Sequence, residues 1–329
     1  MNPTAAAETI EPSTKGGGPK PAPRRWWRIL KRLILSVLII AAFLLFGVFP
    51  FWLSGIVTGA STRSMDRALT ETPATFGARY KDVEFQTADG VKISGWYLPS
   101  NGKGVTIVYS HGLFRSRREL LERAIGLWKR GYGALLYDAR NHGESGPARV
   151  SLGFFERYDA EAAVKYLREV ENSKDRVILF GISLGAVTAL RAAVETPEVA
   201  AVISDSSFLS LRDTTDHHVR LFLRLPPFPI ANETRFFIER RAGFDGDELD
   251  ALGAVKDLRD RPALFITGAE DKRMPPDIAR RLFEASASQK SALLVVDGEA
   301  TKVHGHAYQA DPGLYVDRID QFVATALKD

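Results

Sequence analysis

Between Leu33 and Val57 the chain carries no charged side chain, and the next charge is Arg63. An α-helix rises about 1.5 Å per residue, so these 25 residues are long enough to cross a hydrocarbon core of about 30 Å with some tilt. Trp26, Trp27 and Trp52 flank or close the run, as interfacial aromatics do, and Pro50 kinks or ends the helix near its far end. The alternatives are a buried core helix and a cleavable signal peptide, for which Thr58-Gly59-Ala60 offers small residues. A signal core is usually about 7–15 residues long, and this run exceeds it behind a long basic leader, so an uncleaved anchor is expected.

The charge distribution agrees with that reading. The formal net charge is +4, yet residues 1–32 hold seven basic side chains against Glu8 and Glu11. Residues 33–329 hold the remaining 37 basic and 38 acidic side chains, so the folded part is close to neutral. Nucleic-acid binding draws its affinity from a basic face that neutralises many phosphates, and no such excess exists outside the leader. Basic residues before a first span hold that end in the cytoplasm. The expectation is a basic disordered tail over 1–32, a transmembrane helix over 33–57, a cytoplasmic N-terminus and a domain over 61–329 on the far side. With no Cys, the chain has no disulfide frame and no thiolate nucleophile or ligand.

From about residue 80 short β-rich runs alternate with amphipathic stretches. Val83–Thr87 and Val91–Leu98 flank the turn signal Ala88-Asp89-Gly90 and predict a hairpin. Apolar runs follow at Val105–Ser110, Ala134–Tyr137, Val177–Phe180, Ala201–Ser204, Leu264–Thr267 and Leu293–Val296, the pattern of parallel strands covered on both faces. Helical stretches lie between them, which predicts a doubly wound, mostly parallel sheet. The interval from about 206 to 261 is too long for a simple connection and predicts an inserted helical cap rich in Phe and Pro.

Gly181-Ile182-Ser183-Leu184-Gly185 follows one such strand and opens a helix. By chance this G-x-S-x-G pattern occurs in roughly one chain of this size in ten, so its placement carries the weight. There the chain must turn sharply and lift a serine above the sheet, beside helix N–H groups able to receive a developing oxyanion. A serine nucleophile needs a base. In the order Ser, acid, His, only His304 and His306 qualify, with Asp271 as the expected acid and Glu270 and Asp297 as fallbacks.

The chain resembles the α/β-hydrolase superfamily, specifically its membrane-anchored serine-hydrolase branch of serine-aminopeptidase-like or hydrolase-type lipases. The resemblance rests on His111-Gly112, Asp138-Ala139-Arg140-Asn141-His142-Gly143-Glu144-Ser145, the turn at Ser183, Asp205-Ser206-Ser207-Phe208, and Gly268 and Asp271 followed by Met274-Pro275. It implies that Leu113 and Leu184 supply the two oxyanion N–H groups. It favours His304, because members often place an aromatic four residues on, as Tyr308 is here. Asn141 stands where the branch commonly has Gly; Asn tolerates left-handed backbone, so the loop is expected to survive. His111 and His142 are expected to shape the rim without moving protons, and Arg115-Ser116-Arg117-Arg118 to be a solvated helix start, with anion binding as its alternative.

No cofactor is expected. The expected activity is cleavage of carboxylic esters with a hydrophobic part, either small-molecule or lipid-derived. The alternatives are an aminopeptidase-like serine peptidase, which needs an acidic site for the substrate ammonium, and a non-catalytic lipid- or protein-binding pseudo-hydrolase.

Overall fold

The computed structural model describes residues 25–328 and divides into two units, one ending at Leu44 and the other beginning at Leu45. Most of the expected tail thus lies outside the described residues. Its last part does not extend as a tail: helix α1 runs Arg25–Phe43, eight residues ahead of the apolar run. Arg, Leu and Lys are good helix formers, so a helix nucleated in the apolar segment propagates back through them. None of the α1 residues is buried. Helical residues continue through a π turn at Leu44–Val48 into α2 (Phe49–Thr58), and Arg25–Thr58 is long and apolar enough to cross a membrane. Pro50 does not end the helix: helical residues run on from the π turn at Leu44–Val48 through it to Thr58.

α2 belongs to the second unit. It buries Pro50, Ser54 and Thr58, and its Thr58 carbonyl accepts the Val150 N–H at 2.9 Å. After the short helix α3 (Ser64–Arg67), strands β1 (Lys81–Gln86) and β2 (Lys92–Leu98) pair as the expected antiparallel hairpin. Strand β3 (Val105–Ser110), helix α4 (Leu121–Trp128), strand β4 (Gly133–Tyr137), helix α5 (Arg157–Glu169) and strand β5 (Arg176–Ile182) follow. Then come α6 (Leu184–Glu195) and β6 (Val199–Asp205).

Between β6 and β7 (Ala263–Gly268) the chain passes through α7 (Leu211–His218), α8 (Ile230–Ala242) and α9 (Ala251–Asp257). Helix α10 (Pro276–Ala285), strand β8 (Ala292–Val296), the turn-long α11 (Ala307–Ala310) and α12 (Pro312–Ala326) complete the domain.

The strand order is β1-β2-β4-β3-β5-β6-β7-β8, antiparallel at β1/β2 and β2/β4 and parallel from there on. This is the mostly parallel, doubly wound sheet expected. Strands β3 to β7 are buried almost throughout because helices cover both faces. One apolar layer packs α5, α6 and α9 against the sheet through residues such as Val164, Val187, Leu190 and Val255. The other packs α4 and α12 through Leu121, Ile125, Tyr315, Ile319 and Phe322. Parallel strands all end at one edge, so the loops after β3, β5, β6, β7 and β8 meet there.

Candidate active site

Ser183 occupies the sharp turn from β5 into α6, with φ 56° and ψ −116°. A non-glycine residue held there is strained, and the flanking glycines make the turn possible. A Cβ on Gly181 would lie 1.8 Å from the Gly185 carbonyl oxygen, and one on Gly185 would lie 2.0 Å from the Ser110 oxygen. The Ser183 N–H donates to the Asp205 carbonyl at 2.9 Å, tying the turn to the end of β6.

His304 Nε2 lies 2.8 Å from Ser183 Oγ, and His304 Nδ1 lies 2.7 Å from Asp271 Oδ2. An ionised carboxylate only accepts, so Nδ1 donates to Asp271 and Nε2 is left to accept the serine hydroxyl proton. Asp271 is buried, and its Oδ1 accepts the N–H groups of Arg273 (2.9 Å) and Met274 (3.0 Å). Burial pushes its carboxyl upward; the hydrogen bond and charge of His304 and the two N–H donors outweigh that and hold it below the ordinary carboxylate value. The structure therefore brings Ser183, Asp271 and His304 into one chain of hydrogen bonds.

His306 is not part of that chain. It lines a neighbouring cavity of about 300 Å³ with Asp66, Glu71 and Gln309. Of the fallback acids, Glu270 is half-exposed with Lys302 4.0 Å away, and Asp297 is exposed.

Leu113 follows β3 in a loop whose other N–H groups are engaged. Gly112 donates to Glu119 Oε2 at 2.6 Å, Phe114 to His142 Nε2 at 3.3 Å and Arg115 to the Gly112 carbonyl at 3.2 Å. No acceptor among the described residues takes the Leu113 N–H. Leu184 is the first residue of α6, where an N–H has no intrahelical partner. Leu113 and Ser183 line the same cavity of about 320 Å³, together with Phe114, Ile182, Val303 and His304.

His111 and His142 hold this loop. The His111 ring donates to the Gly112 carbonyl through Nδ1 (2.8 Å) and accepts the Ala139 N–H at Nε2 (2.9 Å). His142 donates through Nδ1 to the Arg140 carbonyl (2.9 Å) and accepts from Phe114. Asn141 has φ 63°, the left-handed backbone that Asn tolerates. The segment after Ser116 departs from the expected solvated helix start. Arg117 is buried, 3.6 Å from Asp138, bonded to Glu144 and stacked 4.5 Å over Trp96. Of that basic run, Arg115 reaches the Ser183 cavity.

Sequence reasoning missed two supports. Buried Arg123 donates through Nη2 to the Gly305 carbonyl (2.8 Å) and Gln309 (3.2 Å), and lies 4.9 Å over the Tyr308 ring. Asp205 accepts from Tyr315 (2.6 Å) and Ser206 (2.8 Å) behind the serine turn. Arg123 has no local motif, and the partner Tyr315 reaches Asp205 from the far end of the chain. In the insertion, Phe222 and Phe228 are exposed, and Phe237 packs edge-on against Phe51.

Residues 103–232 match the family model described as serine aminopeptidase, S33. An uncharacterised protein of Mycobacterium tuberculosis is 30% identical over 218 residues, covering 65% of this chain and 70% of the relative. YqkD of Bacillus subtilis is 29% identical over 239 residues, covering 72% and 77%. Among solved structures, the Pyrococcus furiosus esterase Pf2001 superposes with a TM-score of 0.65 at 28% identity, over 78% of this chain and 95% of that one.

Proposed function

Since the chain belongs to the α/β-hydrolase superfamily, we propose that it is a serine hydrolase cleaving carboxylic esters that carry a hydrophobic part. The observation that carries this is the hydrogen-bonded line from Ser183 through His304 to Asp271. Ser183 Oγ attacks the ester carbonyl while His304 Nε2 takes its proton, and the N–H groups of Leu113 and Leu184 receive the negative oxygen. Collapse of the tetrahedral intermediate breaks the bond to the alcohol, which leaves with the proton from His304. Water then attacks the acyl-enzyme with His304 again as base, releasing the acid and restoring Ser183. Asp271 holds the imidazole tautomer and stabilises the imidazolium without becoming protonated.

Leu113, Phe114, Ile182 and Val303 in the cavity wall support a partly apolar substrate. The same wall argues against an aminopeptidase. That activity needs carboxylates around a substrate ammonium, whereas Arg63, Arg115, Arg273 and Lys302 surround the space with Glu119 as the one carboxylate among them. A membrane anchor in the part of Arg25–Thr58 that precedes α2, with the N-terminus cytoplasmic and the domain on the opposite side, fits the apolar helix and the basic leader. It makes lipid-derived esters natural substrates.

Labelling by a fluorophosphonate probe, compared between the wild type and Ser183→Ala, tests the chemistry. A folded wild type that takes no label ends the enzyme reading in favour of a binding pseudo-hydrolase. Ester and aminoacyl-amide panels separate esterase from peptidase. Protease accessibility of the domain in intact cells and inverted vesicles tests the orientation.

A further inference from the structure

Four separate stretches of the chain each send one cation to the wall of the Ser183 cavity. Arg63 comes from the segment after α2, Arg115 from the loop after β3, Arg273 from the loop after β7, and Lys302 from the turn before His304. Two of these are neutralised. Arg115 pairs with Asp66 (2.9 Å) and Glu119 (3.1 Å), and Lys302 with Glu299 (2.7 Å). Arg63 and Arg273 have no carboxylate within ion-pair distance among the described residues.

Both unpaired residues are fixed at the backbone beside the reacting atoms. The Arg63 N–H donates to the Phe114 carbonyl at 3.0 Å, and its guanidinium lies 5.1 Å over the Phe114 ring, one residue from Leu113. The Arg273 N–H donates to Asp271, the partner of His304. The geometry points to a cavity that takes esters bearing a negative charge, a carboxylate or a phosphate, with Arg63 and Arg273 as the residues that recognise it. This rests on the serine-hydrolase reading and names its substrate class.

Arg63 and Arg273 are both exposed and both line the Ser183 cavity. Partial desolvation weakens Arg273's hold on its proton although the residue is exposed; Asp271 opposes that, and the charges of Arg63 and Arg115 add to it. Guanidinium groups stay protonated in proteins, so both exposed cations are available to an entering anion. A planar guanidinium also matches a carboxylate or phosphate through paired N–H donors. The anionic group takes part in no bond made or broken; it sets which esters are held with their carbonyl against Ser183.

Two substrate pairs test this on the full chain in neutral-detergent micelles. One pair is mono-p-nitrophenyl glutarate and its methyl ester, which differ in the carboxylate. The other is palmitoyl lysophosphatidic acid and monopalmitoylglycerol, which differ in the phosphate. Charge-assisted hydrogen bonds of this kind correspond to a preference in kcat/KM of about tenfold or more for the anionic member. That preference should shrink in 0.5 M NaCl, where the Debye length is only about 4 Å. The pair with the larger ratio identifies whether carboxylate or phosphate is the preferred source of charge.

In the Arg63→Gln, Arg273→Gln double variant the ratio should approach one. Because both members of a pair are measured on the same protein, a general loss of activity cancels. If that variant does not fold, the wild-type ratio and its salt dependence still decide. A wild type that turns over the neutral esters with a ratio of one or below overturns the inference and leaves the hydrolase reading intact. A ratio that survives in the double variant overturns the assignment to these arginines. A chain inert to all four esters and to the fluorophosphonate removes both readings.

Discussion

Arg123 Nη2 donates to the carbonyl of Gly305 at 2.8 Å, one residue beyond His304, and so a buried cation on α4 fixes the loop that carries the imidazole. Displacing a catalytic group by about 1 Å can cost about 10²-fold in rate. Arg123→Met should therefore lower kcat by about tenfold to a hundredfold with little change in KM. Steady-state kinetics, set beside the fluorophosphonate labelling rate, separates this positioning role from lost substrate binding.

The two late histidines give a second prediction. His304→Ala should lose nearly all turnover, while His306→Ala, which alters only the neighbouring cavity, should keep most of it. Asp271→Asn should reduce kcat by about 10⁴-fold, because an amide that donates to Nδ1 imposes the wrong tautomer. Turnover of each variant on one activated ester checks the set, and the reverse histidine result reassigns the base.

A third concerns pH and stability. Burial, joined by the charge of nearby His142, lowers His111 from 6.5 to about 4. The fold therefore binds neutral His111, and between pH 6.5 and about 4 the unfolded chain takes up more protons. Its contribution to stability is complete above pH 6.5 and is lost as pH falls through that window. Thermal unfolding should show Tm dropping across this range, with a flatter profile in His111→Gln. An equally steep profile in the variant would assign the acid lability to other groups.

The serine turn yields a fourth. A methyl group on Gly185 has nowhere to go, since its Cβ would stand 2.0 Å from the Ser110 oxygen, part of the sheet backbone. Gly185→Ala should destabilise the domain by about 1–3 kcal/mol or more, as overpacking does, and abolish labelling of Ser183. Thermal unfolding and labelling on one preparation measure both effects.

The strands were legible because each is a short apolar run with turn residues at its ends; Val105–Ser110 matches β3 in both bounds. Ser183 was legible through local chemistry, with Gly on both sides after an apolar strand. Asp271 could be named from its place after β7, and His304 only through the aromatic Tyr308. What the sequence hid depends on distant partners. Arg117 reads as one more surface cation in a basic run, yet Asp138 and Trp96, brought by two other strands, draw it into the interior. Arg63 reads as the first charge after an apolar helix, and only the fold brings it to the Ser183 cavity. The helical state of residues 25–32 was missed because apolarity marks where a membrane could be, while helix propensity carries the helix beyond it.

Helix α2 has a consequence for how the protein can be cut. Arg241 Nε donates to Ser54 Oγ at 3.0 Å, and its guanidinium lies 4.1 Å over the Phe51 ring. The final ten residues of the helical stretch are thus a wall of the catalytic domain. A soluble form designed by trimming the whole apolar run to Gly59 would strip that wall and bare the inner face of α8. One trimmed ahead of Leu45 would keep it. Proteolytic maturation at Thr58-Gly59-Ala60 would meet the same obstacle, so releasing the enzyme from its leader and dismantling part of its fold would be a single event.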